Sequence, residues 1–288
     1  MIHQIKKLLE KRIGQYVGEE KTSLEEVERK RKLLSERGAE IVKVKVRGKI
    51  AEKIDKDHHT EILYQPHFLF LIRQGTHYYI EEEIENRRAL FSGGVLIQEW
   101  EEIRQEEALG LELNSDFPRE LGRIPYQYNR HQAVQYAERW WNSYNPQFKK
   151  FDVDCTNYVS QCLWAGGAPM RGFPDRSKGW WYREGKWSYS WSVAHSLRWY
   201  LASSKIGLRA KEVPEPGQLL PGDVICYDFQ GDGRYDHTTI VVAKDANGMP
   251  LVNAHTYNSR MRYWSYKDSS AYTDRIQYKF YSIVDDSE

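Results

Sequence analysis

The sequence from residue 152 to residue 167 reads DVDCTNYVSQCLWAGG, and this stretch decides how the second half of the chain is interpreted. Apolar side chains recur at helical spacing after Cys155, and Gly166-Gly167 can end a helix. The pattern therefore predicts a helix that has Cys155 in its first turn. There the backbone N–H groups and the helix dipole stabilise an anion, which favours the thiolate over the thiol. The same N–H groups could hold the oxyanion of an acyl-transfer intermediate.

A candidate general base follows further along the chain. Residues 221–228 read PGDVICYD, a turn and a strand, and a polar loop then leads to His237. His237 starts the apolar run HTTIVVA, which predicts a buried strand. A histidine at the mouth of a strand is held rigidly and stays open to substrate, as proton transfer requires. Cys155 and His237 together predict a cysteine nucleophile with a neighbouring base.

Two residues of the next predicted strand could orient that base. Residues 250–258 read PLVNAHTYN and follow the turn Asn247-Gly248. Asn253 and His255 are two residues apart, so in a strand they point to the same face. Imidazole and carboxamide can each accept the ring N–H of His237, so the residue types leave both candidates open.

These motifs resemble, in the same order, those of the amidase-domain family common in spore-forming Gram-positive bacteria. The motifs that carry the resemblance are DCTNYVSQ at 154–161, GDVI at 222–225, DHT at 236–238 and NAHT at 253–256. Shorter matches upstream are YNR at 128–130, Ala133, YA at 136–137 and SW at 190–191. The resemblance covers about 126–288.

The resemblance implies a fold and a chemistry. The family is related to the NlpC-type and CHAP peptidoglycan hydrolases, which implies a papain-like α+β fold and a Cys–His–polar triad. Matched by motif, Cys155 is the nucleophile, His237 the base and His255 the third member, with Asn253 as a rival for the third place. The implied reaction is hydrolysis of an amide bond through an acyl-enzyme, with peptidoglycan, its fragments or another peptide as substrate. A contrasting hypothesis is a binding module that keeps the fold, has lost turnover, and recognises wall fragments or a protein partner.

Several residues near the predicted nucleophile are candidates for substrate contacts. Asp154 directly precedes Cys155, and Trp180, Trp181 and Trp191 belong to an aromatic-rich segment. Rigid aromatic faces on a loop could line a cleft for sugar or peptide. The same tryptophans could instead belong to the core, and the pattern leaves these two interpretations open.

The sequence gives no pattern for a metal or another cofactor, and we predict none. Cys155, Cys162 and Cys226 match neither a disulfide framework nor a zinc site, and the last two are expected to be structural. Residues 228–236 resemble part of an EF-hand calcium loop, but Thr239 stands where the bidentate Glu is expected. The alternative is a tight turn, stabilised by Asp side chains, that presents His237.

The first half of the chain predicts a separate small α+β domain. Two helical patterns come first, and the second starts at a capping box of Ser23 and Glu26 and ends at Gly38. A curled antiparallel sheet is predicted next, from extended stretches at about 42–46, 61–72, 77–84 and 89–100. This outline is compatible with an NTF2-like or cystatin-like fold. We place the domain at 1–110, a linker at 111–122 and the hydrolase domain at 123–288.

Composition limits the partners and the compartment. Lys and Arg number 42 against 41 Asp and Glu, so net charge gives no overall attraction to nucleic acid or to an acidic membrane. No apolar run is long enough to span a bilayer, and the first 20 residues lack the apolar segment of a secretory signal. We therefore expect the chain as written to stay in the cytoplasm. A cell-wall substrate would agree with this location if the protein acts inside a sporulating cell or is released by lysis. The sequence does not identify a partner for the N-terminal domain.

Overall fold

The computed structural model describes residues 1–18, 22, 24–102 and 125–287. The predicted linker at 111–122 and the predicted helix cap Ser23 lie outside these residues. The chain divides into two compact units. The first contains Met1–Arg104 together with Tyr257–Arg262 and Tyr266–Ser270, and the second contains Gln105–Thr256, Tyr263–Ser265 and Ala271–Glu288. The division near residue 104 is close to the predicted boundary, but the sequence did not indicate that two C-terminal stretches belong to the first unit.

The described chain contains six α-helices and thirteen strands. The helices are α1 (Ile2–Val17), α2 (Glu25–Glu36), α3 (Arg130–Trp140), α4 (Cys155–Ala165), α5 (Tyr189–Ser192) and α6 (Ala194–Ser203). The strands are β1 (Ala39–Lys56), β2 (His59–Gln74), β3 (His77–Ile84), β4 (Arg87–Ser92), β5 (Val95–Glu101), β6 (Tyr182–Arg183), β7 (Lys186–Trp187), β8 (Arg209–Val213), β9 (Val224–Asp228), β10 (His237–Lys244), β11 (Pro250–Ala254), β12 (Ser259–Tyr263) and β13 (Gln277–Val284). In the described ranges, no helix combines the length and apolar character needed to cross a bilayer.

The first unit packs two helices on an antiparallel sheet. The strand order is β5-β4-β2-β3-β12, with β1 pairing along β2. The predicted strand at 89–100 is in fact two strands, because Gly93 and Gly94 take positive φ angles of 54° and 79° and make a hairpin turn. Tyr16 of α1 packs its ring edge against Phe68 and Phe70 of β2, with centroids 5.8 and 4.9 Å away. These aromatic rings belong to the buried apolar cluster of this unit.

The second unit has its own antiparallel strands in the order β11-β10-β9-β13-β8. Helix α4 ends at Gly166, as predicted, and a Cβ there would lie 2.4 Å from Tyr128 Cε2, so only glycine fits. Tyr158 of α4 donates its hydroxyl to the carbonyl oxygen of Ala137 in α3 at 2.8 Å, which links the two helices. Both units are thus of mixed helix and antiparallel sheet, which agrees with the predicted α+β class.

Candidate active site

Helix α4 begins at Cys155, which confirms the predicted helix-start position of this thiol. The first hydrogen bond of the helix runs from the Tyr158 N–H to the Asp154 carbonyl oxygen, at 2.9 Å. The backbone N–H groups of residues 155–157 therefore precede the regular ladder, at the positive end of the helix dipole. Such a position stabilises a thiolate and can hold an oxyanion. Cys155 is 2% exposed, so only a small part of this residue can be reached from solvent.

The carboxylate of Asp154 is buried and fully engaged inside the protein. Oδ1 accepts hydrogen bonds from the Phe151 N–H and the Asn157 side-chain amide, both at 2.9 Å. Oδ2 lies 2.8 Å from Nδ1 of His255. Because Asp154 is 1% exposed and these contacts use both oxygens, the structure does not support it as a substrate contact. It instead ties the loop before the nucleophile to the helix start.

His255 has a partner at each ring nitrogen. Nε2 lies 2.7 Å from the carbonyl oxygen of Trp140, and Nδ1 faces Asp154. A carbonyl oxygen can only accept, so Nε2 is the donor in its contact with Trp140. The ring also stacks on Tyr158, with centroids 4.0 Å apart. To orient His237, His255 would need a ring nitrogen that is still available to it. Both ring nitrogens are already used in these contacts, so the geometry favours a different role, in which His255 holds Asp154 in place.

Asn253, the rival for the third place, lies in β11, and His255 follows the last residue of that strand. Its side-chain amide donates to Glu138 Oε1 at 2.8 Å, and Glu138, like Trp140, belongs to α3. Asn253 lies opposite Ile240 in the β10–β11 pair, three residues along the strand from His237. That offset is about 10 Å, beyond direct hydrogen-bond reach.

His237 begins β10, opposite Tyr227, as the sequence predicted for a residue at a strand mouth. Its ring packs near Tyr227 and Phe229, with centroids 5.5 and 6.0 Å away. The hydroxyls of Thr156 and Thr238 are hydrogen-bonded at 3.1 Å. Each of these threonines directly follows one of the two predicted catalytic residues, so the bond joins the start of α4 to the start of β10. Neither threonine has a role that the sequence predicts, although both lie within the motifs DCTN and DHT.

The surroundings of the other two cysteines make their thiols unreactive. Cys162 and Cys226 are fully buried, and burial raises the pKa of each thiol well above its ordinary value. A thiol with a raised pKa stays protonated at neutral pH and is a poor nucleophile. Cys162 lies on the buried side of α4, and Cys226 lies within β9, opposite Thr238. The predicted structural role of both residues agrees with this burial.

The tryptophans considered as substrate contacts lie in the core. Trp180, Trp181 and Trp191 are at most 1% exposed. Trp180 and Trp191 donate their indole N–H groups to Ser160 and Asn157 of α4, at 2.9 and 2.8 Å. Side chains with no exposed face cannot line a cleft, so we do not retain them as substrate contacts. They instead stabilise the helix that carries Cys155.

The loop at 228–236 is a turn organised by Asp228. Its carboxylate accepts hydrogen bonds from the backbone N–H groups of Gly231, Asp232 and Gly233, at 2.7, 3.3 and 2.8 Å. These contacts engage both oxygens that a calcium ion would need from this residue, and they match the turn interpretation. Asp236, next to His237, is partly buried. Burial, followed by repulsion from Asp228 and Asp232, raises its pKa to about 7, although backbone hydrogen bonds oppose the shift.

A second acidic cluster, in the first unit, has the spacing of a metal site. Glu81, Glu83 and Asp268 each bring a carboxylate oxygen within 4.8 Å of the others. Lys30 Nζ donates to all three, at 2.5, 2.8 and 3.0 Å, and so occupies the place that a cation would take. Burial alone would lower the pKa of Lys30, but attraction to these carboxylates outweighs it and raises the pKa well above its ordinary value. The lysine ammonium therefore serves as the internal counter-ion of this cluster.

Sequence comparison places the chain in a family that this geometry also fits. Residues 127–281, more than half of the chain, match the family model described as "Putative amidase domain". The chain therefore belongs to that family.

Two Bacillus subtilis (strain 168) proteins are similar to it. "Uncharacterized protein YhbB" is 50% identical over 273 residues, which cover 92% of this chain and 88% of that protein. "Uncharacterized protein YjcM" is 32% identical over 141 residues, which cover 46% of this chain and 31% of that protein. No solved structure matches the chain.

Proposed function

We propose that the second unit is a cysteine-dependent amide hydrolase with Cys155 as nucleophile and His237 as general base. The observation that carries the proposal is the hydrogen bond between Thr156 and Thr238, at 3.1 Å. It holds the start of α4 and the start of β10 together, one residue from each proposed catalytic side chain. The match of residues 127–281 to an amidase-domain family supports the same reaction class.

The chemistry follows from the position of each group. The Cys155 thiolate attacks the amide carbonyl carbon, and backbone N–H groups at the start of α4 stabilise the resulting oxyanion. Protonated His237 gives its proton to the leaving amine, which leaves an acyl-enzyme on Sγ. His237 then removes a proton from water, which attacks the thioester, and collapse of the intermediate releases the carboxylic acid and restores the thiolate.

Asp154 and His255 support this site without touching the reacting atoms. The Asp154 carboxylate joins Phe151, Asn157 and His255 around the residue that precedes the nucleophile. His255 is anchored in turn to the carbonyl oxygen of Trp140. Groups held by buried hydrogen bonds of this kind fix a nucleophile within the tolerances that catalysis needs. We assign both as positioning residues, in place of the triad role expected for His255.

Peptidoglycan or its fragments is the substrate we propose, at a peptide or other amide linkage. The support is the motif resemblance to the amidase-domain family, whose relation to the NlpC-type and CHAP peptidoglycan hydrolases implies this substrate class and a papain-like fold. Purified sacculi incubated with the protein should release soluble peptide or new amino groups, detectable by mass spectrometry. Release by wild type but not by Cys155→Ser would support the proposal.

The nucleophile has a direct test that does not depend on the substrate. Iodoacetamide should alkylate Cys155 in the folded protein faster than the other two thiols, which mass spectrometry of peptides can resolve. Cys155→Ser should abolish hydrolysis, and Cys162→Ser and Cys226→Ser are the matched controls that should retain the chemistry. Preferential labelling of Cys162 or Cys226, or full activity of Cys155→Ser, would contradict the assignment. A folded chain whose Cys155 resists every electrophile would favour the binding module instead.

A further inference from the structure

Arg198 of α6 is partly buried, and two of its donor groups have no partner among the described residues. Its Nε and Nη1 groups are shielded from solvent and have no hydrogen-bond acceptor among the described residues. The guanidinium instead lies over the rings of Trp199 and Tyr235, with Cζ 4.1 and 5.3 Å from the ring centroids. Shielded donors without acceptors are costly and rare in folded proteins, so each one calls for an explanation.

Two other arginines of the same unit form ion pairs. Arg130 donates to Asp223 at 2.5 Å, and Arg209 donates to Asp286 at 2.8 Å. In the part of the chain that the structure describes, Arg198 has no ion pair. The fold therefore provides carboxylates for two other half-buried guanidinium groups but leaves this one for another anion.

The position of Arg198 relates it to the proposed active site. Tyr235, which packs against its guanidinium, lies two residues before His237, and its N–H donates to His195 Nδ1 at 3.2 Å. His195 precedes Arg198 by one turn of α6, so the helix and the loop that leads to His237 are tied together.

We propose that Arg198 binds a carboxylate of the substrate beside the scissile amide. This inference rests on the proposed function and specifies its substrate class: amides that carry an anionic group near the bond to be cleaved. A guanidinium presents five donors in a planar fork that suits a carboxylate, and its strength rises where water is excluded. The rings of Trp199 and Tyr235 flank the group.

A pair of alkylating reagents tests the charge preference at Cys155. Iodoacetate is anionic and iodoacetamide is its neutral counterpart, so the ratio of their rate constants at Cys155 reports the local field. In Arg198→Met, we expect the rate constant of iodoacetate at Cys155, divided by that of iodoacetamide, to fall about fivefold. This is the order of change expected when one nearby positive charge is lost. Arg183→Met removes a guanidinium that lies 5.0 Å from the Phe173 ring and pairs with Glu184, and it should leave the ratio unchanged. An unchanged ratio in a folded Arg198→Met would overturn the proposal.

A second measurement is independent of Cys155 reactivity. Acetyl-glutamate amide and acetyl-glutamine amide differ by one negative charge, and only the former should raise the melting temperature of the wild-type protein. Arg198→Met should lose this shift, and without ligand it should melt at the same or a higher temperature than wild type, because shielded donors without acceptors have been removed. Equal responses to the two compounds would overturn the anion site even if Cys155 proves catalytic. The two proposals can fail separately. If neither alkylating reagent modifies Cys155, the catalytic assignment fails. The anion site still stands in that case if acetyl-glutamate amide stabilises wild type but not Arg198→Met.

Discussion

At the residue scale, the imidazole of His255 lies between the carboxylate of Asp154 and the carbonyl oxygen of Trp140. Both contacts require a donor on the ring unless the carboxylate itself carries the proton. The pair is thus a buried hydrogen-bonded unit next to the nucleophile. Removing either member of such a buried pair removes most of the stabilisation that the pair provides, because the other member is left buried without a partner.

His255→Ala should therefore lower kcat by on the order of 100-fold with little change in KM, because nucleophile placement affects the reaction more than ground-state binding. Asn253→Ala should cost far less. If His255 acts through Asp154, then Asp154→Asn should give a similar loss, and the double variant should be little worse than either single one. Additive losses would mean independent roles, and a larger effect of Asn253→Ala would restore Asn253 as the third catalytic residue.

Asp236 gives a prediction about pH. Burial raises the pKa of its carboxyl to about 7 in the folded protein, above its ordinary value of 3.8. The folded state therefore binds this proton more tightly than the unfolded state, and the stability that the protonated group provides is lost as pH rises from about 4 to about 7. Asp236→Asn should match wild type in melting temperature at pH 4 and exceed it at pH 8. Exposed Asp152→Asn is a suitable control, and a pH-independent difference for Asp236→Asn would contradict the shift.

At the scale of secondary-structure elements, strand β12 and the residues after it supply part of the first unit. Ser259 and Arg260 pair with Glu83 and Glu82 of β3. Asp268 closes the carboxylate cluster around Lys30 of α2 and also binds Arg262, at 3.0 Å. The segment that directly follows β11 is therefore anchored by ion pairs as well as by strand pairing.

Lys30→Met should destabilise the protein by about 3–5 kcal/mol, because it leaves the buried carboxylate of Glu81 without its cation. Glu83 and Asp268 lose one of their two cations and keep Arg262. Urea denaturation followed by circular dichroism measures this free energy of unfolding. The loss should be smaller at low pH, where the carboxylates can be protonated instead. The control is Lys32→Met on the same helix, whose exposed pair with Glu36 at 4.0 Å should contribute under about 0.5 kcal/mol. Equal stability of Lys30→Met and wild type would show that the buried pairs contribute no net stability.

At the scale of the whole molecule, the first unit takes in residues from both ends of the chain. A simple cut between the predicted domains therefore separates Arg262 and Asp268 from Lys30 and Glu83. The catalytic residues proposed here all lie within the second unit.

We expect limited proteolysis to cut between about 101 and 123, where the sequence predicts a linker, and the 125–288 product to remain folded. Its melting temperature should be lower than that of the full chain, because Lys30 and Glu83, which pair with Asp268 and Arg262, are missing. Calorimetry distinguishes the outcomes, and a protease-resistant chain with one transition would indicate a single cooperative unit.

Local pattern was enough to determine α4, the strand that begins at His237, and the α+β class. Each depends on periodicity, a stop signal or a nearby turn, which act over a few residues. Only the tertiary structure assigned His255 to Asp154, buried Trp180, Trp181 and Trp191, filled the acidic cluster with Lys30 and gave Arg198 no ion pair among the described residues. Those outcomes depend on which distant residues meet, as Lys30 and Asp268 do across 238 positions of sequence. Residue type states what a side chain can bind, and packing decides which partner it receives.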